Sequence, residues 1–185
     1  MQMTQGDITL RTAVLSDAPI LNQWWNDGEL MKHVGFPEGI GQSLSETKDN
    51  IRSWENKRSQ LFIIEQAGEP IGECHIIYRP NDTTAYPGWK ISQVTKQNQG
   101  LGTRVVLMLC EHIFSDPAIT AIYWDTLGSN ERARHIYRTK FGLEELTAEP
   151  WTDSSGETRE VVAYQLDRND LARIKQNLAQ TKSPE

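Results

Sequence analysis

At 185 residues, with 37% hydrophobic and 24% charged side chains, the chain has the size and balance of one globular domain, which excludes wholesale disorder. A net charge of −6 argues against a general nucleic-acid binder, and no apolar run approaches the ~20 residues of a membrane span. The only cysteines, Cys74 and Cys110, sit inside apolar patterns, so reduced core residues are expected, not a disulfide framework or a metal site.

The N-terminal stretch Met1 to Asp7 lacks a basic region followed by an apolar one, so no secretory signal is read and a cytoplasmic protein is expected. Asp7 to Thr12 alternates apolar and polar residues as a half-buried strand does. Ser16-Asp17 and Pro19 open a helix whose inner face is Ile20, Leu21, Trp24 and Trp25, and Asn26-Asp27-Gly28 stops it. Leu30 to Ser43, rich in Gly and Pro, reads as a mobile loop on the substrate side. A second helix follows from Ser45, with Ile51 and Trp54 inward. Leu61–Glu65 and Ile71–Tyr78 form a hairpin, and Thr84–Thr95 a further strand with an irregularity expected at Pro87-Gly88.

The stretch Gln97-Asn98-Gln99-Gly100-Leu101-Gly102-Thr103 then turns that strand into a helix running to Phe114. Glycines allow close backbone approach, and the first amides of a helix are unpartnered and partially positive, so the turn suits a phosphate or pyrophosphate. The same pattern also serves as a plain strand-to-helix turn. It is neither a Gly-x-x-x-x-Gly-Lys loop nor a Gly-x-Gly-x-x-Gly loop, since Val105 follows at the last position. Ala121–Asp125 is a short buried strand, Asn130–Lys140 a helix, and Glu144–Trp151 and Arg159–Leu166 two closing antiparallel strands. Asn169–Leu178 has a weak amphipathic pattern, and disorder is expected over Thr181–Glu185. The order β-α-α-β-β-β-α-β-α-β-β is an α/β arrangement with a mixed sheet.

With the loop and the Asn130 helix both in view, the sequence resembles the GNAT superfamily of N-acyltransferases. That family's loop has Arg or Gln, two variable residues, Gly, one variable residue, then Gly or Ala; here it stands as Gln97 to Gly102. Its second segment appears as Asn130-Glu131-Arg132-Ala133-Arg134-His135-Ile136-Tyr137, ending in Phe141-Gly142. The likeness extends over roughly Asp7 to Leu166, with features of aminoglycoside 6′-N-acetyltransferases and of acetyltransferases acting on ribosomal-protein N-termini.

The resemblance implies a GNAT-like splayed mixed sheet flanked by helices, in one acetyl-CoA-dependent domain over 1–185 (core about 7–166, C-terminal helix or tail 167–185). It implies acetyl-CoA as co-substrate, an amine acceptor, no metal, no nucleic acid and no membrane, and it allows a homodimer. Amides from Gln97, Asn98, Gln99, Gly100, Leu101, Gly102 and Thr103 would hold the pyrophosphate. The edge at Gln93, Val94 and Thr95 would pair with the pantetheine arm, and an amide near Val94 would polarise the thioester carbonyl. Asn130 would bind the pantetheine and Tyr137 would protonate the leaving thiolate.

The base is harder to place, because Ala85 to Thr95 contains no Asp or Glu where many members of the family carry a carboxylate. Glu73 and His75, on one face of the neighbouring strand, are the candidates; a solvated sheet face is the blander account. Asp125 either binds a substrate cation or, by preference, caps the turn before Ser129-Asn130. Trp89, beside Gly88, is the tryptophan placed to line an acceptor pocket. The reading is an acetyltransferase acting on a small-molecule amine or a protein N-terminus; the alternative is a non-catalytic acyl-CoA-binding or sensor module.

Overall fold

The computed structural model describes residues 1–55 and 58–180, so the expected disorder of Thr181–Glu185 lies outside the described residues. The strands are β1 (Gln2–Gln5), β2 (Ile8–Thr12), β3 (Gln60–Gln66), β4 (Glu69–Tyr78), β5 (Thr84–Ile91), β6 (Ala121–Leu127), β7 (Leu146–Thr147), β8 (Trp151–Thr152), β9 (Thr158–Arg159) and β10 (Val161–Leu166). The helices are α1 (Ala18–Trp25), α2 (Gly28–Met31), α3 (Leu44–Ser53), α4 (Leu101–Ile113), α5 (Glu131–Arg134) and α6 (Arg168–Gln180). An eight-stranded sheet runs β1-β2-β3-β4-β5-β6-β10-β7, and β8-β9 form a separate hairpin. All pairings are antiparallel except β5 with β6.

Strand alternation distributes the core over both sheet faces. One face carries Phe62, Cys74, Ile76, Ala85 and Ile122, packed against Val105, Leu109, Cys110 and Ile113 of α4 and Leu171 and Ile174 of α6. On the other, Leu61 and Ile63 meet Leu21, Trp24 and Trp25 of α1 and Ile51 of α3. Spacings of three and four along α4 put its apolar side chains on one stripe, which is why this stretch is helical and buried.

The functional opening comes from the sheet itself. β5 and β6 pair only at Thr84 with Ala121 and Ala85 with Ile122, and then diverge. The Gln97–Thr103 turn and α4 follow β5 at that divergence.

Several expected elements shift. β5 ends at Ile91 and Val94–Lys96 form a 3-10 turn, so Val94 and Thr95 offer no extended edge and only Gln93 keeps extended backbone. No irregularity occurs at Pro87-Gly88, where β4–β5 register is continuous; the shift lies in β3–β4, between Ile64 and Glu65. Gly88 instead makes room for His75, whose ring would lie 2.3 Å from a Cβ there. The Leu30–Ser43 stretch is no free loop. Asp27 caps α2, accepting from Glu29 and Leu30 amides, and a 3-10 turn follows at Lys32–Val34. Asn26 then ties the far end, exchanging two hydrogen bonds with the Gln42 backbone (2.7 and 2.9 Å). The Glu144–Trp151 strand resolves into β7, paired with β10, and β8, paired only with β9.

Candidate active site

A cleft of about 860 Å³ occupies the divergence of β5 and β6, within the ~300–1,000 Å³ usual for small-molecule sites. Its floor on one side is the loop: Val94, Lys96, Gln97, Asn98, Gly100, Leu101, Gly102 and Thr103 all line it. Gly100 is the N-cap of α4 with φ 75°, a left-handed conformation that suits glycine. The α4 amides that begin at Leu101 have no intrahelical partner, so the turn presents donors and a positive dipole end to the cleft. Lys96, Arg132 and Lys140 add cationic side chains to the lining. Arg132 also hydrogen-bonds the Gln97 side chain, joining the loop to α5. An anion of several charges fits this end.

Gly102 has a different task from Gly100. A Cβ there would come within 2.7 Å of the Trp89 ring and 3.1 Å of Ile136. The missing side chain lets the Trp89 indole lie across the first turn of α4. From there its Nε1–H donates to the Tyr137 hydroxyl at 2.8 Å.

Tyr137 sits in a π-helical turn, His135–Lys140, that continues α5. Such a turn re-aims a side chain relative to a regular helix and is frequent at functional sites. The Tyr137 ring is 4% exposed and packs against Trp124 (4.9 Å), Tyr164 (4.8 Å) and Phe141 (6.4 Å). Burial pushes its phenol well above the ordinary value, against the pull of the Trp89 hydrogen bond, so it stays protonated at neutral pH. Asn130 caps α5, accepting from the Ala133 amide at 3.3 Å, and donates to Thr126 Oγ1 at 3.0 Å.

Not every predicted residue reaches the cleft. Gln93 donates to the Pro70 carbonyl (2.7 Å) and Gln99 to that of Thr95 (2.8 Å); these three shape the turn without lining the cleft. Glu73 is 9% exposed, with one carboxylate oxygen accepting from Trp25 Nε1 at 2.8 Å and the other 3.0 Å from Lys90 Nζ. His75 lies beneath Gly88 and beside Trp54 (5.8 Å), where burial and then Lys90 bring its pKa down to about 4. Neither is a cleft-lining residue, which corrects the expectation of a base there: neither side chain is presented to the cleft, and Glu73 is held by Trp25 and Lys90.

The carboxylate that does line the cleft is Asp125. Leu127 and Asn130 close the turn by backbone hydrogen bonding, and Asn130 supplies the helix cap, so Asp125 is not the cap that was preferred for it. Its side chain is exposed at the cleft, and partial desolvation there raises its pKa. The other acidic lining residues are neutralised, Glu29 by Lys32 (2.5 Å) and Glu131 by Arg134 (2.7 Å). Asp125 forms no ion pair among the described residues. Glu29, Leu30, Lys32, His33 and Val34 also line the cleft, with the 3-10 turn Lys32–Val34 against β6. His33 was not singled out from sequence. Burial and then Lys32 lower its pKa, so it is neutral near pH 7. No motif marks it; its place follows from the 3-10 turn Lys32–Val34 packing against β6. No His/Cys/Asp/Glu cluster able to hold a metal occurs among the described residues.

Known proteins share this fold. The sequence is 25% identical to the aminoglycoside N(6′)-acetyltransferase type 1 of Klebsiella pneumoniae, over 76% of each chain. The fold matches that of RimL, a ribosomal L7/L12 alpha-N-protein acetyltransferase crystallised with coenzyme A, with TM-score 0.75, 17% identity, and 90% of this chain and 98% of that one covered. It also matches aminoglycoside acetyltransferase AAC(6′)-Ib crystallised with coenzyme A and kanamycin, with TM-score 0.68, 21% identity and coverage of 91% and 99%. Residues 7–144, from the start of β2 through the glycine turn and the Tyr137 segment, match the acetyltransferase (GNAT) domain, and the chain belongs to that family of acetyltransferases.

Proposed function

We propose that the chain transfers an acetyl group from acetyl-CoA to a primary amine, of a small molecule or a protein N-terminus, by direct attack within one domain. The observation that carries this is the cleft itself. It joins an anion-binding helix start to a buried, protonated Tyr137 at the splay of β5 and β6. The CoA phosphates would meet the amides at Gly100–Thr103 and Lys96, Arg132 and Lys140. The pantetheine arm would follow the open edge of β5 beyond Ala85, with Asn130 beside it, and would place the sulfur near Tyr137.

Direct transfer needs a neutral amine, a carbonyl held in line, and a proton for the departing thiolate. Tyr137 suits the last step, since its hydroxyl accepts from Trp89 and keeps its own proton to give. Asp125 would hold the incoming ammonium or take its proton, and Trp89 would form the wall between donor and acceptor. A single unpaired carboxylate suits an acceptor presenting one amine better than a polycation needing several. The domain would span 1–185, since β10 pairs with β6 and α6 closes the core beyond the family-matched segment.

The test is thiol release from acetyl-CoA with kanamycin, spermidine and a short peptide with a free N-terminal serine, beside a calorimetric CoA titration. Turnover with one amine class is expected. CoA binding without turnover on any of them would instead favour an acyl-CoA-binding module, the reading to which the carboxylate-free β5 lends weight.

A further inference from the structure

The Glu29–Val34 wall of the cleft, the part that the proposed transfer leaves open to an acceptor, is backed by a hairpin that lines no part of the cleft. Lys32–Val34 form a 3-10 turn ended by Gly35, at φ 87°. A Cβ on Gly35 would lie 1.7 Å from the Trp151 ring, so the indole rests directly on the glycine backbone. Phe36 meets the same ring edge-on, with centroids 6.3 Å apart at 64°. The Ser154 amide donates to the Gly35 carbonyl at 3.1 Å.

The hairpin that delivers Trp151 is built to be stiff. Asp153 is 6% exposed and accepts from Ser155 N–H (2.9 Å), Ser155 Oγ (2.5 Å), Glu157 N–H (3.1 Å) and Arg159 Nε (2.7 Å). β8 and β9 pair only with each other, apart from the main sheet. A two-stranded hairpin is marginal alone, so its seat on Gly35 steadies both partners. Trp151 keeps 39% of its surface exposed, which core filling does not explain.

We propose that Trp151 is a positioning residue for the acceptor: stacked on Gly35, it sets where His33 and Val34 stand in the cleft wall. The inference rests on the acceptor entering along Glu29–Val34, and it concerns the acceptor alone. The CoA side of the cleft is built from β5, the glycine turn and α5, none of which touches the hairpin in the contacts above.

The test uses the full chain with Trp151→Ala, Trp151→Phe and Gly35→Ala. Amide hydrogen exchange needs no acceptor. In Trp151→Ala the protected amides of Phe36, Gly39 and Ile40 should exchange roughly tenfold faster, with α4 amides unchanged. Unchanged exchange in that segment would overturn the proposal that Trp151 holds the wall. Exchange rising equally in α4 would also overturn it, by showing a general loss of stability. In steady-state assays with kanamycin and with the serine peptide, KM for whichever amine is turned over should rise roughly tenfold while KM for acetyl-CoA holds. Trp151→Phe should recover most of that loss and Gly35→Ala should reproduce it. An unchanged acceptor KM, or an equal rise for both substrates, would overturn the positioning role. Absence of turnover by the wild type would count against the acceptor reading, while the exchange result would still decide whether Trp151 holds the wall.

Discussion

At the scale of single residues, Tyr137 and Gly102 form one device. The Trp89 indole reaches the Tyr137 hydroxyl only because Gly102 leaves room for its ring. Tyr137→Phe should lower kcat by roughly 100-fold or more while CoA affinity, read by calorimetry, stays within about twofold. Unchanged kcat would remove Tyr137 as the acid. Gly102→Ala should displace the indole and weaken turnover more than CoA binding, whereas Gly102→Asp adds a negative charge at the anion site and should abolish binding. Retained CoA affinity in Gly102→Asp would show that the phosphates bind elsewhere.

His75 gives a residue-scale pH dependence. Its pKa falls from 6.5 to about 4 in the folded chain, so the unfolded chain binds the extra proton between those values. Stability should therefore be fully present above about pH 6.5 and decline as pH falls toward about 4, by on the order of 3 kcal/mol. His75→Gln should flatten that slope in denaturant titrations at pH 5 and 7. An identical slope in the variant would assign the acid sensitivity to other groups.

At the scale of elements, the segment between α1 and α3 shows how a Gly- and Pro-rich stretch becomes ordered. Asn26 pairs with the Gln42 backbone, and Asn22 donates to the Gln42 carbonyl and to Thr47 Oγ1. Close backbone packing completes it: a Cβ on Gly28 would lie 2.1 Å from the Pro37 carbonyl oxygen. Asn26→Ala should cost roughly 1–3 kcal/mol by leaving the Gln42 groups underbonded, and should speed exchange of the Gln42 amide. α3 is anchored locally, with Ser43 and Glu46 forming a capping box. Ser43→Ala should cost about 1 kcal/mol by thermal unfolding and leave the cleft unaffected.

At the scale of the whole molecule, Glu73 joins the layers. It accepts from Trp25 of α1 and pairs with Lys90 of β5, whose ammonium also lies 2.7 Å from Met31 of α2. Glu73→Gln would leave Lys90 without its counter-ion in a site where both side chains are at most 14% exposed. Because Lys90 also lines the cleft and reaches water there, the cost should fall toward the low end for buried pairs, roughly 2–3 kcal/mol. The folded variant should keep kcat within about threefold; a loss of 100-fold with the fold intact would return Glu73 to the chemistry as a base.

What the sequence by itself determined was local. Glycines where the chain turns from β5 into α4, the apolar spacing of α4, the alternation of β3 and β4, and the Asn130–Tyr137 segment each encode their element through contacts a few residues apart. Those signals were enough for the fold, the family and the glycine turn that borders the cleft. The tertiary structure alone decided which polar groups face the cleft. Glu73 and Asp125 are both strand carboxylates, and nothing in their neighbourhoods of sequence says that Trp25 and Lys90 occupy one while the other stays unpaired. The Trp25–Glu73 contact, the approach of Lys90 to Met31 and the seat of Trp151 on Gly35 join residues 48, 59 and 116 positions apart, distances over which no sequence period carries information.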